Sequence, residues 1–105
     1  MKHVKAYDNY SYDNVKKYFI FNISILPWYA GEGINLLEVA DIQKQHGVIV
    51  TRELYTCKDG NIKDAEKRIF GVLDKNFDNI LYTSDSMEDC LERLPILENE
   101  IKYNL

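Results

Sequence analysis

The chain has 105 residues, of which 46% are hydrophobic and 29% charged, with five Gly and two Pro. This composition is ordinary for a globular protein and excludes a disordered or fibrous chain. The formal net charge of −4 disfavours nonspecific binding to nucleic acid or to an anionic membrane. No apolar run approaches the ~18 residues of a membrane-spanning helix, and the N-terminus lacks an apolar signal segment. We therefore expect a single cytoplasmic domain over residues 1–105.

The run 17–26 is the clearest predicted strand. Read at a period of two, one of its faces is fully apolar and the other is apolar at both ends. The fully apolar face carries Phe19, Phe21, Ile23 and Ile25. A strand that is apolar on both faces belongs in the interior of a sheet. Pro27 ends this strand, because proline has no N–H to donate to a ladder. Residues 2–7 indicate a short preceding strand.

Aromatic residues mark the segments on either side of this strand. Residues 8–14 are rich in Asn, Asp and Ser, which favour turns, and they include Tyr10 and Tyr12. The loop after the strand begins with Trp28, the chain's only tryptophan, and Tyr29. Rigid aromatic side chains among short polar ones are typical of protein-binding loops, so these four residues are candidate partner contacts. The alternatives are half-buried tyrosines in a solvated turn, and a tryptophan that folds back on the core.

Residues 34–46 admit two interpretations. As a helix, Asn35 would be the N-cap, Glu38 would complete a capping box and Gly47 would end it. As strand 35–42, the segment would join the next strand through a five-residue hairpin loop. The apolar residues spread over more than half of a helical wheel, which favours the hairpin. A helix here would instead shift the fold toward the α/β class.

The second half of the chain is predicted to hold two strands and two helices. Strand 48–56 is rich in β-branched residues. Helix 61–77 follows a turn at Lys58-Asp59-Gly60, and its stripe is Ala65, Ile69, Val72, Leu73 and Phe77. Strand 79–83 then precedes helix 86–103, which Ser86 opens. The stripe of this last helix, Cys90, Leu94, Leu97 and Ile101, continues through Pro95.

These elements predict an α+β fold. A three- to four-stranded, mainly antiparallel sheet would be formed by 17–26, 35–42, 48–56 and 79–83. Helices 61–77 and 86–103 would cover one face of that sheet.

Acidic residues concentrate in the C-terminal quarter of the chain. Residues 78–105 hold seven acids against two bases. Asp85, Glu88 and Glu92 are the candidates for a negative surface that docks on a basic protein, with long-range attraction speeding the encounter. The plainer interpretation is the solvated side of an amphipathic helix.

No catalytic, metal or cofactor site is predicted. Cys57 and Cys90 form no CxxC pair, and His3 and His46 are the only histidines that would join them in a zinc site. Cys90 lies on an apolar stripe, which indicates a buried, inert thiol. A helix-turn-helix is disfavoured, because its second helix would be the strand-forming run 48–51.

The leading hypothesis is therefore a non-enzymatic cytoplasmic protein-binding module that docks an acidic, aromatic surface on a partner. Abundant Lys, Asn, Ile and Tyr, which A/T-rich codons encode, hint at a low-GC bacterium, its phage or a mobile element, where small inhibitors and immunity proteins work in this way. The alternative is a small enzyme or ligand-binding domain with a polar pocket at Asn22, Ser24 and Arg52. A nucleic-acid-binding domain is the third hypothesis.

Overall fold

Within the described residues, 10–29 and 33–103 of a computed structural model, six antiparallel strands form one sheet and one α-helix packs on it. The strands are β1 Tyr18–Phe21, β2 Ile34–Gln43, β3 Val48–Lys58, β4 Asn61–Asp64, β5 Ile69–Leu73 and β6 Ile80–Ser84. The helix is α1, Met87–Tyr103. Short 3-10 turns lie at Ile23–Ile25, Lys44–His46 and Asp74–Asn79. The strand predicted at residues 2–7 lies outside the described residues.

The sheet curls, and the connection between its two edges shows why. The strand order is β4-β3-β2-β1-β6, and β5 lies beside the N-terminal half of β3, next to the position of β4. The chain crosses from β5 to β6 through the six-residue turn Asp74–Asn79. A six-residue 3-10 turn spans about 12 Å, whereas four strand spacings in a flat sheet measure about 19 Å. The two edges must therefore approach each other.

Two apolar clusters form on opposite faces of the curled sheet, because successive residues of a strand point to opposite sides. The inner cluster consists of Val15, Phe19, Phe21, Ile23, Leu26, Leu37, Ile49, Val72, Phe77 and Ile80. The outer cluster, between the sheet and α1, consists of Ile20, Ile34, Leu36, Cys57, Leu81, Cys90, Leu94 and Leu97. Both faces of β1 are thus covered, and its residues 19–21 are fully buried.

The observed strand β1, Tyr18–Phe21, is shorter than the predicted strand 17–26. The ladder of β1 ends at Phe21, and Ile23–Ile25 form a 3-10 turn. The backbone N–H of Asn22 donates to the carbonyl of Asn79 at 3.0 Å, where the β1–β6 register is irregular. The chain turns away from the sheet after this bond. Ile23 stays buried, while Ile25 is exposed.

The prediction of a helix over 61–77 is wrong. The predicted fold of three to four strands and two helices is therefore also wrong, since the described residues form six strands and one α-helix. Asp59 (φ 53°) and Gly60 (φ 79°) both adopt left-handed conformations, as a two-residue type I′ hairpin turn requires. The turn returns the chain along β3, so residues 61–64 and 69–73 form β4 and β5. In β5 the side chains alternate between the core and the outside, and Ile69 and Leu73 of the supposed helical stripe are exposed.

The hairpin interpretation of residues 34–46 is correct. β2 pairs with β3 along its whole length, with two irregularities in the register, and Gly47 (φ 70°) closes the loop. The α+β class, the antiparallel pairing and the C-terminal helix are also as predicted. That helix runs through Pro95, and Ser86 caps it by accepting the N–H of Asp89 at 3.2 Å.

The end of α1 is tied to the β3–β4 turn by charged groups. The buried carboxylate of Glu98 accepts the backbone N–H groups of Asp59 (3.2 Å) and Gly60 (3.0 Å). Lys102 Nζ lies 2.5 Å from Asp59 Oδ1, and this contact holds the pKa of Asp59 below its usual range. Bonds between a carboxylate and backbone N–H groups are stronger than neutral ones, so they fix the helix against the hairpin.

We expect Gly33→Ala to destabilise the fold strongly. Gly33 has φ +103°, and an added Cβ would lie 2.3 Å from the backbone carbonyl oxygen of Cys57. A strained backbone conformation alone costs about 1–3 kcal/mol, and the clash with β3 adds to this. The matched control is Gly60→Ala, which also has a positive φ but where the added Cβ meets no atom within 4 Å. Urea unfolding that shows equal losses for the two variants would contradict this account.

Candidate functional site

The Trp28 surface, defined as Trp28, Tyr29, Arg68 and Phe70, is an aromatic patch built around one cation. The Trp28 ring is edge-on to Phe70 at 5.3 Å between centroids and to Tyr29 at 6.2 Å. The Arg68 guanidinium lies 5.5 Å from the Trp28 centroid and 5.7 Å from that of Tyr29, within cation–π range. Trp28 is nevertheless 51% exposed, so the indole is held in place and open to contact.

A buried carboxylate positions the arginine of this surface. Arg68 donates from Nε to Glu53 Oε1 at 3.1 Å and from Nη2 to Oε2 at 3.3 Å. The side-chain amide of Asn35 donates to the same carboxylate. Both Glu53 and Asn35 are buried, and among the described residues Asn35 Oδ1 has no partner. Burial and the Glu53 charge raise the pKa of Tyr29.

An interruption between β4 and β5 directs Arg68 toward Glu53. Four residues, 65–68, lie opposite two residues of β3, and Lys67 adopts a positive φ of 60°. The N–H of Ala65 donates to Leu54 O and that of Glu53 to Arg68 O, both at 2.9 Å. The extra residues place the start of β5 so that the Arg68 side chain reaches the carboxylate.

No motif in the sequence marks Asn35, Glu53 and Arg68 as a group. Arg52, the neighbour of Glu53, instead pairs with Glu38 on the more exposed face, at 3.4 Å. One signal was present: Glu53 shares the alternation of Ile49 and Thr51, which places an acid on the buried face of β3. A carboxylate at such a position needs a partner, but the partner's location depends on the hairpin register.

The acidic face, defined as Asp85, Glu88, Glu92 and Ile96, lies on the opposite side of the sheet from the inner cluster. Its four residues are all exposed. Glu88, Glu92 and Ile96 recur every four residues and therefore share one side of α1. Residues 85–103 contain six acids and two bases, so the whole formal charge of −4 resides in this segment. Ile96, at the end of the acidic residues, is 56% exposed.

Other acids of the helix are engaged within the protein. Tyr82 donates its hydroxyl to Asp89 Oδ2 at 2.6 Å, and the Arg93 guanidinium lies 4.6 Å from the Tyr82 centroid. Hydrogen bonds from Tyr82 and Ser84 lower the pKa of Asp89. Within the acidic face, Asp85 accepts the backbone N–H of Lys17 at 3.2 Å and keeps its side chain exposed.

The structure does not bring all the predicted partner contacts together. Tyr10 and Tyr12 pack against the inner cluster. The Tyr12 ring is edge-on to Phe77 at 5.0 Å, and its hydroxyl donates to Asp74 at 3.2 Å. Trp28 and Tyr29 do lie together, and Tyr29 also packs against the inner cluster. The acidic face belongs to the helix that covers the outer cluster, so the aromatic and acidic residues form separate surfaces.

A cleft of about 260 Å³ contains two of the three residues suggested for a polar pocket. Its walls are Asn22, Ser24, Gly33, Ile34, Lys58, Asp59, Glu98, Ile101 and Lys102. Arg52, the third residue, lies away from it and pairs with Glu38. Three of the charged groups in the walls already bind one another or the hairpin turn, so their observed contacts are those that hold the helix on the sheet.

The chemistry of the remaining groups is limited. Cys57 and Cys90 are free thiols, and both are buried. Burial raises the pKa of Cys90 to about 12, so the thiol is protonated at neutral pH. Over residues 10–29 and 33–103 there is no cluster of three His, Cys, Asp or Glu side chains suited to a metal ion. The same residues include no helix with the length and apolarity to cross a membrane.

We expect Arg68→Ala to destabilise the protein by about 3 kcal/mol, because it leaves the buried carboxylate of Glu53 without its cation. Arg52→Ala is the matched control, since its partner Glu38 is partly exposed and such pairs contribute about 0–1 kcal/mol. The emission of the single tryptophan should shift to the red in Arg68→Ala only. Equal unfolding free energies of the two variants in urea would refute a positioning role for Glu53.

The bond between Tyr82 and Asp89 predicts a pH dependence. Because the folded-state pKa of Asp89 is lowered, its contribution to stability is present above the unfolded pKa of about 3.9 and is lost as the pH falls through the folded pKa. In Tyr82→Phe the pKa of Asp89 should rise toward its usual value, as followed by a carboxyl ¹³C titration. Tyr103→Phe, an exposed control, should leave it unchanged. An unaltered Asp89 titration in Tyr82→Phe would contradict this assignment.

Comparison with known proteins supplies no relative for this chain. No family model matches it, and neither a curated protein nor a solved structure does. The arrangement of the described side chains is therefore what supports the function proposed below.

Proposed function

We propose that this protein is a non-enzymatic, cytoplasmic protein-binding module that docks the acidic face of α1 on a basic surface of another protein. Small inhibitors and immunity-type proteins of phage and mobile elements act in this way. The observation that carries the proposal is that the whole net charge of the chain resides in residues 85–103, with Asp85, Glu88 and Glu92 exposed.

Charge segregated on one side of a small protein acts over a distance. At physiological ionic strength the screening length is about 8 Å, so neighbouring carboxylates one helical turn apart add their fields. Such a field orients the encounter and raises association rates by about 10–10³-fold. A partner with a basic surface is attracted by this field and associates faster.

Apolar side chains beside the acids supply the short-range contact. Ile96 is exposed next to Glu92 on the same side of the helix, and Tyr103, two turns further on, is 72% exposed. Binding energy at interfaces concentrates in a few desolvated side chains surrounded by a polar rim. Ile96 of the acidic face and Tyr103 beyond it are the apolar anchors, and the exposed carboxylates of the acidic face are the charged groups beside them.

We expect the double variant Glu88→Lys/Glu92→Lys to lose the partner. The experiment compares the wild-type chain, this variant and a charge-matched control, Asp41→Lys/Asp78→Lys. Each is immobilised and exposed to an extract of the source organism, and quantitative mass spectrometry identifies the proteins that it retains. The two control positions are exposed and lie outside α1. A protein retained by wild type and control, but not by the α1 variant, is the partner.

Kinetics with that purified partner then test the mechanism. The association rate of Glu88→Lys/Glu92→Lys should fall at least tenfold at low salt, and the gap should narrow at high salt, because screening weakens steering. Its unfolding free energy should stay within about 1 kcal/mol of wild type, the scale of a helix-dipole contribution. Equal association rates for all three proteins, or capture that depends on nucleic acid in the extract, would overturn the proposal.

A further inference from the structure

The β5 edge, defined as Ile69–Leu73, is the outer edge of β5, which no other strand among residues 10–29 and 33–103 covers, and its outer face is apolar. Within the described residues β5 pairs with β3 alone. Its sequence, Ile-Phe-Gly-Val-Leu, contains no charge and no proline, the residues that usually protect strand edges from pairing. Ile69 is 54% exposed and Leu73 is 43% exposed.

Backbone bonds at both ends of β5 show which groups point outward. The N–H of Glu53 donates to Arg68 O, and the N–H of Asp74 donates to Gly47 O, each at 2.9 Å. In an antiparallel ladder the residues that bond to one neighbour alternate with those that face away. Residues 68, 70, 72 and 74 therefore face β3, and Ile69, Gly71 and Leu73 direct their N–H and C=O groups to the open edge.

We propose that a second copy of this chain pairs with the β5 edge, in an antiparallel arrangement about a two-fold axis at Gly71. Ile69 then lies opposite Leu73 of the second copy, and the outward groups of the three residues meet their equivalents. This forms about six inter-strand hydrogen bonds. The same patch on both copies is self-complementary, as an isologous two-fold interface requires.

Charges at the ends of the strand favour this register. Arg68 and Asp74 flank β5, and pairing about Gly71 places each of them opposite the other residue of the second copy. Opposite charges facing each other across two strands are stabilising. Arg68 donates to Glu53 from Nε and Nη2 but is 43% exposed, and Asp74 accepts from the Tyr12 hydroxyl but is also exposed, so both keep polar atoms free for a second chain. A register shifted by two residues would lose these contacts.

Apolar surface borders the edge on both sides of the strand. Ile69 and Leu73 lie on the outer side, and on the inner side the half-exposed Trp28 ring packs on Phe70. The other edge strands differ: β4 carries Lys63 and Asp64, and β6 has no exposed residue. Two short strands bury less than the ~1,200 Å² of a standard interface, so the dimer is weak and depends on concentration.

Sedimentation velocity of the full chain over a wide concentration range tests the pairing. The weight-average mass should rise from that of the 12.3 kDa chain toward twice this value. Ile69→Lys/Leu73→Lys should stay monomeric, whereas Ile96→Lys, equally exposed but on the acidic face, should dimerise like wild type. A wild type that stays monomeric overturns the proposal; this would happen if the edge bound another protein or a segment of its own chain. A dimer that persists in Ile69→Lys/Leu73→Lys overturns it as well.

Cross-linking tests the register. Opposite residues in a hydrogen-bonded pair have Cα atoms about 5.5 Å apart, which a disulfide bridges. A mixture of Ile69→Cys and Leu73→Cys proteins should oxidise to the mixed dimer in preference to either homodimer. Homodimers in equal yield would exclude pairing about Gly71. These results do not depend on the acidic face, so the dimer and the partner-binding proposal fail or succeed separately.

Discussion

The structure depends on covering both faces of one four-residue strand. Residues 19–21 of β1 are apolar and fully buried, so the sheet must bury one face in itself and the other under a separate element. The inner face is covered because the sheet curls, and the 3-10 turn Asp74–Asn79 connects its two edge strands, β5 and β6. The outer face is covered by α1. Burying large apolar side chains contributes about 1.5–3 kcal/mol each, so an opening on either side of β1 would be costly.

A second energetic cost arises on the inner face of the sheet, from one buried charge. Glu53 is buried on the inner face, where an apolar residue of similar size would often be more stable. Its carboxylate is matched by Arg68 and Asn35, and the arginine in turn holds Trp28 in an exposed position. The buried ion pair thus converts part of the inner face into a rigid aromatic surface beside the β5 edge. The buried carboxylate of Glu53 therefore influences, through Arg68 and Trp28, the surface that a second chain would contact.

The two proposed surfaces differ in the physics they use. The acidic face carries the exposed carboxylates of Asp85, just before α1, and of Glu88 and Glu92 on α1, and the proposed attraction of a basic partner is long-range and weakened by salt. The β5 edge offers backbone groups and apolar side chains, which act only in contact. A dimer joined at β5 would present two acidic faces and so double the charge available to a basic partner. The two functions are therefore compatible in one small chain.

Elements with a local residue pattern could be predicted from the residues alone. The alternation in residues 17–26, of which only 18–21 form the strand, the β-branched run of β3 and the capped apolar stripe of α1 were sufficient to predict two strands and the helix. The acids of the acidic face were also identified from composition. Their exposure follows from the stripe, because residues opposite the apolar side of a helix face solvent.

The secondary structure from Asn61 to Asn79 depends on pairing with a strand elsewhere in the fold. The apolar residues of this segment fit a helical stripe and a strand about equally well, and the type I′ turn at Asp59-Gly60 settles the choice only because β3 offers a free edge to pair with. The union of Asn35, Glu53 and Arg68 depends on the register of three strands and an interruption in one of them. Such long-range pairing cannot be predicted from local sequence, because the residues next to Asn35, Glu53 and Arg68 in the chain do not indicate which residue each will contact.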